Sequence, residues 1–125
     1  MLPASEIVLL VDDDAAVRAA LKFALEMEGF CVELYDGPEA LLADADLPKR
    51  ACLVIDYRMP GIDGIELVDR LRSQDVALPV ILISGRVSRR MRELAARSGV
   101  VRFLEKPLSD TTLVENIRGA LGLPA

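Results

Sequence analysis

Residues 52–71 read CLVIDYRMPGIDGIELVDRL. Four apolar residues run into Asp56, and a Pro60–Gly61 step follows. Ile65, Leu67, Val68 and Leu71 then recur at helical spacing behind Asp63, a residue suited to capping a helix. The stretch is a strand, a loop and a helix, with a carboxylate at the strand exit. Apolar runs of the same length recur at 7–11, 31–35, 79–83 and 100–104. Helically spaced segments separate them, such as Val17, Leu21, Ala24 and Leu25. Asp13 or Asp14 is placed to cap the first helix, Gly29 to end it, and Asp110 to cap the last. Continuous rather than alternating apolar strands indicate burial on both faces. Strict alternation with helices predicts an α/β fold with a mostly parallel sheet covered on both faces, and right-handed crossovers restrict the topology. The expected form is a flavodoxin-like, doubly wound (βα)5 sandwich with five parallel strands, and in the order 2-1-3-4-5 its first and third strands are neighbours.

The chain has 125 residues, 52% of them hydrophobic, which predicts one domain over 1–125 with a single sizeable core. Its apolar runs are far shorter than the roughly 20 residues of a membrane helix. The opening MLPASE lacks the pattern of a secretory signal, so a cytoplasmic setting is expected. Cys31 and Cys52 lie in apolar runs and read as buried free thiols. There is no histidine, which excludes a Ser-His-Asp or Cys-His catalytic site, a His-ligated zinc and a phosphohistidine on this chain. The net charge of −5 divides unevenly: residues 1–63 hold thirteen acids and five bases, residues 64–125 seven acids and ten bases. An acidic balance argues against direct nucleic-acid binding, while the basic second half offers a face to an acidic partner.

In an open parallel sheet the binding crevice lies beyond the carboxyl ends of the strands, where strand order reverses. Those exits carry Asp12, Asp13 and Asp14 after the first strand and Asp56 after the third. Ser84 and Gly85 follow the fourth, and Glu105, Lys106 and Pro107 the fifth. Taken singly, each acid reads as a helix cap or turn residue. Taken together, with the first and third strands adjacent, Asp12, Asp13 and Asp56 would repel one another unless a cation intervened. Hard carboxylate oxygens suit Mg²⁺. Lys106 adds a fixed positive charge and Ser84 a hydroxyl donor beside the open Gly85. These are the parts needed to hold a phosphoryl group on a carboxylate.

With VDDD at 11–14, VIDYRMPGIDG at 54–64, ISG at 83–85 and FLEKP at 103–107, the chain resembles the bacterial response-regulator receiver family over its whole length. The string DYRMPGIDGIEL is similar to the FixJ-like subfamily, whose members usually carry a C-terminal DNA-binding domain. The resemblance implies a two-component signalling module rather than an enzyme, cytoplasmic and without membrane contact. Asp56 would accept a phosphoryl group from a sensor histidine kinase or phosphotransfer protein. Asp13, Asp56 and the backbone carbonyl of Arg58 would ligate Mg²⁺, with Mn²⁺ as a substitute, and Asp12 would assist through metal-bound water. Lys106 and Ser84 would contact the phosphoryl oxygens, Phe103 would be the aromatic switch, and the Lys106–Pro107 peptide would be cis. Asp14 has no family role and reads as a cap.

Arg58 and Arg86 stand two residues beyond Asp56 and Ser84 and are read as tuning acyl-phosphate hydrolysis. Arg86, Arg89, Arg90, Arg92, Arg97 and Arg102 mark a charged face for a homodimer or partner through helix four, strand five and helix five, meeting acids such as Glu105, Asp110 or Glu115. Competing readings fit less well. An aspartyl-phosphate phosphatase lacks its second acid, because position 58 is Arg. A nucleotide-binding module lacks a glycine-rich phosphate loop, and a DNA-binding protein lacks a recognition motif.

Overall fold

The computed structural model describes residues 6–123. The expectations for the N-terminal signal and the end of the tail fall largely on 1–5 and 124–125, outside the described residues. Strands and helices alternate as β1 (Ile7–Val11), α1 (Ala15–Met27), β2 (Cys31–Tyr35), α2 (Pro38–Ala43), β3 (Cys52–Asp56), α3 (Gly64–Ser73), β4 (Val80–Ser84), α4 (Arg89–Arg97), β5 (Arg102–Glu105) and α5 (Asp110–Ala120). The sheet is parallel, as the alternation predicts, and its order is 2-1-3-4-5, that of the expected fold type. Val11 pairs with Ile55, Asp56 with Ile83 and Ser84 with Glu105, so four strand exits come level along one rim.

Successive strand residues face opposite layers. Leu9, Val11, Leu53, Ile55 and Leu82 pack with Leu67, Val68 and Leu71 of α3 and Ala95 of α4. Val8, Leu10, Val54, Ile81 and Ile83 pack with Leu25 of α1 and Leu113 and Ile117 of α5. β3 and β4 are buried almost throughout, each large side chain contributing about 1.5–3 kcal/mol by leaving water. The central strands therefore form a rigid base for whatever their exits carry. No helix among the described residues is long and apolar enough to cross a membrane.

Local chemistry sets the element ends, with some differences from the sequence reading. Asp14 caps α1 by accepting the N–H groups of Ala16 and Val17, and Gly29 follows the helix at φ +93°. Asp63 caps α3 through the Glu66 N–H. The cap of α5 is Ser109, not Asp110: the Ser109 hydroxyl accepts the Thr112 N–H, and Asp110 becomes the first helical residue. β5 begins at Arg102 rather than at 100, because the Val100 N–H closes the end of α4 on the Ala95 carbonyl. Cys52 is buried, but Cys31 is exposed, since β2 is an edge strand in which only Val32 and Tyr35 are covered.

Candidate functional site

β1 and β3 are neighbours in register, so the residues that leave them meet. Asp12, Asp13 and Asp56 present carboxylate oxygens all within 4.8 Å of one another. The three carboxylates differ in surroundings. Asp12 is 4% exposed, and its backbone is fixed from two sides: its N–H donates to the Tyr35 carbonyl at 3.2 Å, and Arg18 donates to its carbonyl at 2.7 Å. Its side chain accepts the Asp14 N–H at 2.9 Å. Asp13 is exposed, and the Asp56 side chain is 14% exposed.

Burial pushes the Asp56 carboxyl up to about 6, and the Asp12 charge adds to the effect, while Lys106 opposes it. Burial also raises Asp12, against the lowering effect of the Asp14 N–H and of Lys106. Lys106 Nζ lies 3.9 Å from Asp56 Oδ1 and is itself 42% exposed, so it offsets part of the crowded negative charge without cancelling it. Hard oxygen donors, close together and short of positive charge, fit a divalent cation.

The loop after Asp56 keeps the rim open. The Tyr57 N–H donates to the Ile83 carbonyl, and the Gly64 N–H returns to the Tyr57 carbonyl, both at 2.8 Å, so residues 57–64 form a closed excursion. Gly61 turns it at φ +90°, a conformation that L side chains rarely adopt. At Gly64 a Cβ would stand 3.0 Å from both the Tyr57 Cα and a Leu82 methyl, which leaves glycine the residue that fits.

On the other side of the rim, Ser84 is 1% exposed, and its Oγ accepts the Arg86 N–H at 3.4 Å. Phe103 is buried, its ring 5.6 Å from that of Tyr57 and tilted by 43°. The Lys106 N–H donates to the Ser84 carbonyl at 2.8 Å, and the Lys106–Pro107 peptide is cis. Arg58 and Arg86 are both exposed.

Comparison with known proteins places this arrangement: the response regulator receiver domain family matches residues 8–118. The chain belongs to the response-regulator receiver family. This receiver is 39% identical over 114 residues to the transcriptional regulatory protein FixJ of Bradyrhizobium diazoefficiens, covering 91% of this chain and 56% of that one. It is 41% identical over 114 residues to the C4-dicarboxylate transport transcriptional regulatory protein DctD of Pseudomonas aeruginosa, covering 91% of this chain and 25% of that one. The receiver thus spans about half the length of its FixJ relatives. Its structure is similar to that of FixJ-N, with a TM-score of 0.87 at 37% identity and 98% coverage of both chains. It is also similar to a CheY-like receiver domain of Methanospirillum hungatei, with a TM-score of 0.86 at 25% identity and 95% coverage of both. Receivers are signalling modules of two-component systems and work with histidine kinases.

Of the residues singled out in the sequence, Asp12, Asp13, Asp56 and Lys106 come together directly. Ser84 and Phe103 lie on the adjoining strands, and the wider arginine set is spread along α4 and its flanks. The sequence reading missed Arg18, which grips the Asp12 carbonyl. A basic residue one turn into the helix that follows three aspartates was the available signal. The sequence reading took Arg92 and Glu105 only as surface charges, and missed that Arg92 donates to the Phe103 carbonyl at 2.8 Å and that Glu105 accepts the Val87 N–H at 2.8 Å.

Proposed function

We propose that residues 1–125 form one receiver domain in which Asp56 accepts a phosphoryl group from a phosphohistidine of a sensor histidine kinase or phosphotransfer protein. An Asp56 carboxylate oxygen forms the new bond to phosphorus as the bond from phosphorus to the imidazole nitrogen breaks, and the imidazole leaves with the electron pair. The observation that carries this reading is the cluster of Asp12, Asp13 and Asp56 within 4.8 Å, with Lys106 at 3.9 Å from Asp56.

Asp12, Asp13, Asp56 and the Arg58 carbonyl would hold Mg²⁺, with Mn²⁺ as a substitute. The cation would neutralise phosphoryl oxygens during transfer. Lys106 supplies positive charge on the same side as Asp56, and the Ser84 hydroxyl donates to the phosphoryl group once it is attached. Phe103 reports that change to the outer face of β5. Arg58 and Arg86 tune hydrolysis from the solvent side, so the phosphate lifetime changes in Arg58→Ala and Arg86→Ala.

The arginines of α4 lie largely exposed and support a second reading, a phosphorylation-dependent homodimer through α4, β5 and α5. Sedimentation with and without an acyl-phosphate mimic tests it, and a monomer in both states removes it. The setting is cytoplasmic. The output is control of transcription through a further domain of the kind FixJ relatives are named for.

Intact mass after incubation with acetyl phosphate tests the central reading. The expected result is a Mg²⁺-dependent, hydroxylamine-labile gain of about one phosphate that disappears in Asp56→Asn. A gain that survives the substitution moves the acceptor elsewhere.

A further inference from the structure

The β4–α4 loop, residues 85–88, leaves the rim beside Ser84 and reaches α4, whose first turn Ser88 caps through the Met91 N–H. Two hydrogen bonds tie this loop and helix to β5, and beside them a third joins the end of β4 to the residue after β5. The Lys106 N–H donates to the Ser84 carbonyl at 2.8 Å. The Val87 N–H donates to Glu105 Oε1 at 2.8 Å. Arg92 Nη1 donates to the Phe103 carbonyl at 2.8 Å. Between the first two, the Arg86 N–H points at the Ser84 hydroxyl oxygen at 3.4 Å. Ser84 and Glu105 are register partners on adjacent strands, so the Glu105 side chain on β5 holds the loop beside the end of β4 from which the loop diverges.

We infer that Glu105 is a positioning residue of the phosphorylation switch: its carboxylate clamps Val87 and so holds the β4–α4 loop, and the Ser84 hydroxyl that the loop touches, in the resting arrangement. The inference rests on the reading of Asp56 as phosphoacceptor. When Ser84 turns its hydroxyl toward a phosphoryl group on Asp56, the Arg86 amide must follow or release it. The Val87 amide, next in the chain, cannot follow without stretching its bond to Glu105. A bond to a carboxylate is about twice as strong as a neutral one, so the clamp biases the equilibrium toward rest, although solvent at the exposed Glu105 limits the bias. Arg92 holds the far side of the same unit at the backbone of Phe103, so loop and aromatic ring are restrained from one strand.

Glu105 touches neither the acid cluster nor the reacting atoms, and its effect is on position alone. A carboxamide retains an acceptor oxygen at the same reach, so Glu105→Gln preserves the clamp and Glu105→Ala removes it.

The test reads amide hydrogen exchange of Val87 in the unphosphorylated protein, and half-saturation of phosphorylation by acetyl phosphate with Mg²⁺, in the wild type and both variants. In Glu105→Ala, Val87 is expected to exchange about fivefold faster and half-saturation to fall about threefold, with Glu105→Gln close to wild type in both. Exchange at β1 and β3 amides stays unchanged, which separates loss of the clamp from loss of overall stability. Unaltered Val87 exchange in Glu105→Ala overturns the clamp. Faster exchange with unaltered half-saturation overturns its coupling to the switch. A wild type that takes no phosphate defeats the acceptor reading and the coupling with it, and Val87 exchange then still decides whether the clamp exists.

Discussion

The exits of β1 and β3 and the exits of β4 and β5 face each other across one rim and are built on opposite plans. The first pair gathers like charges: three carboxylates meet with one ammonium beside them, and Asp12 is gripped by backbone bonds from β2, α1 and its own turn. The second pair gathers hydrogen bonds between side chains and backbone, an exposed one from the Val87 N–H to Glu105 and a half-buried one from Arg92 to the Phe103 carbonyl. Such bonds, worth about 1–2 kcal/mol each, are weak enough to exchange. A site that collects charge must be rigid so that repulsion does not scatter it, whereas a switch needs contacts that can be traded. Under the reading proposed for the site, the receiver divides the two requirements between neighbouring strand pairs.

Substitutions that leave one side intact sharpen this contrast. The largest effect belongs to Asp13→Ala, which removes a donor from the acid side. Mg²⁺ affinity, read by calorimetry, should fall by a factor on the order of 100, while Val87 exchange in the metal-free protein stays as it is.

Asp56→Asn acts on the same side with the opposite sign for stability. The folded protein holds its Asp56 proton up to about 6, against roughly 3.9 for an unfolded chain, so stability falls as pH rises between those values. Removing the charge should stabilise the metal-free protein by on the order of 2 kcal/mol at pH 8, and by nothing near pH 3. Urea unfolding at the two pH values in a chelating buffer measures this, and an equal effect at both would refute the crowding of charge. The same linkage predicts that stabilisation by Mg²⁺ grows as pH rises through 6.

Gly64→Ala presses a methyl group on the Tyr57 backbone and Leu82. It should cost roughly 1–2 kcal/mol in urea unfolding, below the effects on the acids. Arg92→Ala is the smallest, about 1 kcal/mol or less, with Mg²⁺ affinity unchanged. A loss of metal binding in that variant would show that the two sides are not separate.

Much of the fold was legible because the central strands are buried on both faces, which turns CLVI and VILI into unbroken apolar runs with polar residues, Asp56 and Ser84, at their exits. Strand order then put Asp12 beside Asp56 without further information. Errors came where a side chain competed for a backbone group: Ser109 took the cap expected of Asp110, and the turn ending α4 took Val100 from β5. Cys31 was misplaced because CVELY was read as a covered strand, although Glu33 in its middle marks a strand with an open face. The acid side was readable from residue type alone, since several carboxylates at neighbouring exits have few purposes. The bonds of Arg92 and Glu105 were not, because each ends on a backbone atom, eleven and eighteen residues away, and a backbone atom carries no residue identity to read.

The pairing of Tyr57 with Phe103 has a practical consequence. The chain has no tryptophan and two tyrosines, of which Tyr35 ends β2 and donates its hydroxyl to Asp44. Tyr57 follows Asp56 directly and leans on the ring of Phe103. Near-ultraviolet dichroism and intrinsic fluorescence of the unlabelled protein therefore have one of their two tyrosines at the seam between Asp56 and Phe103, and mutating Tyr35 to Phe would leave Tyr57 as the single tyrosine reporting on that seam in real time.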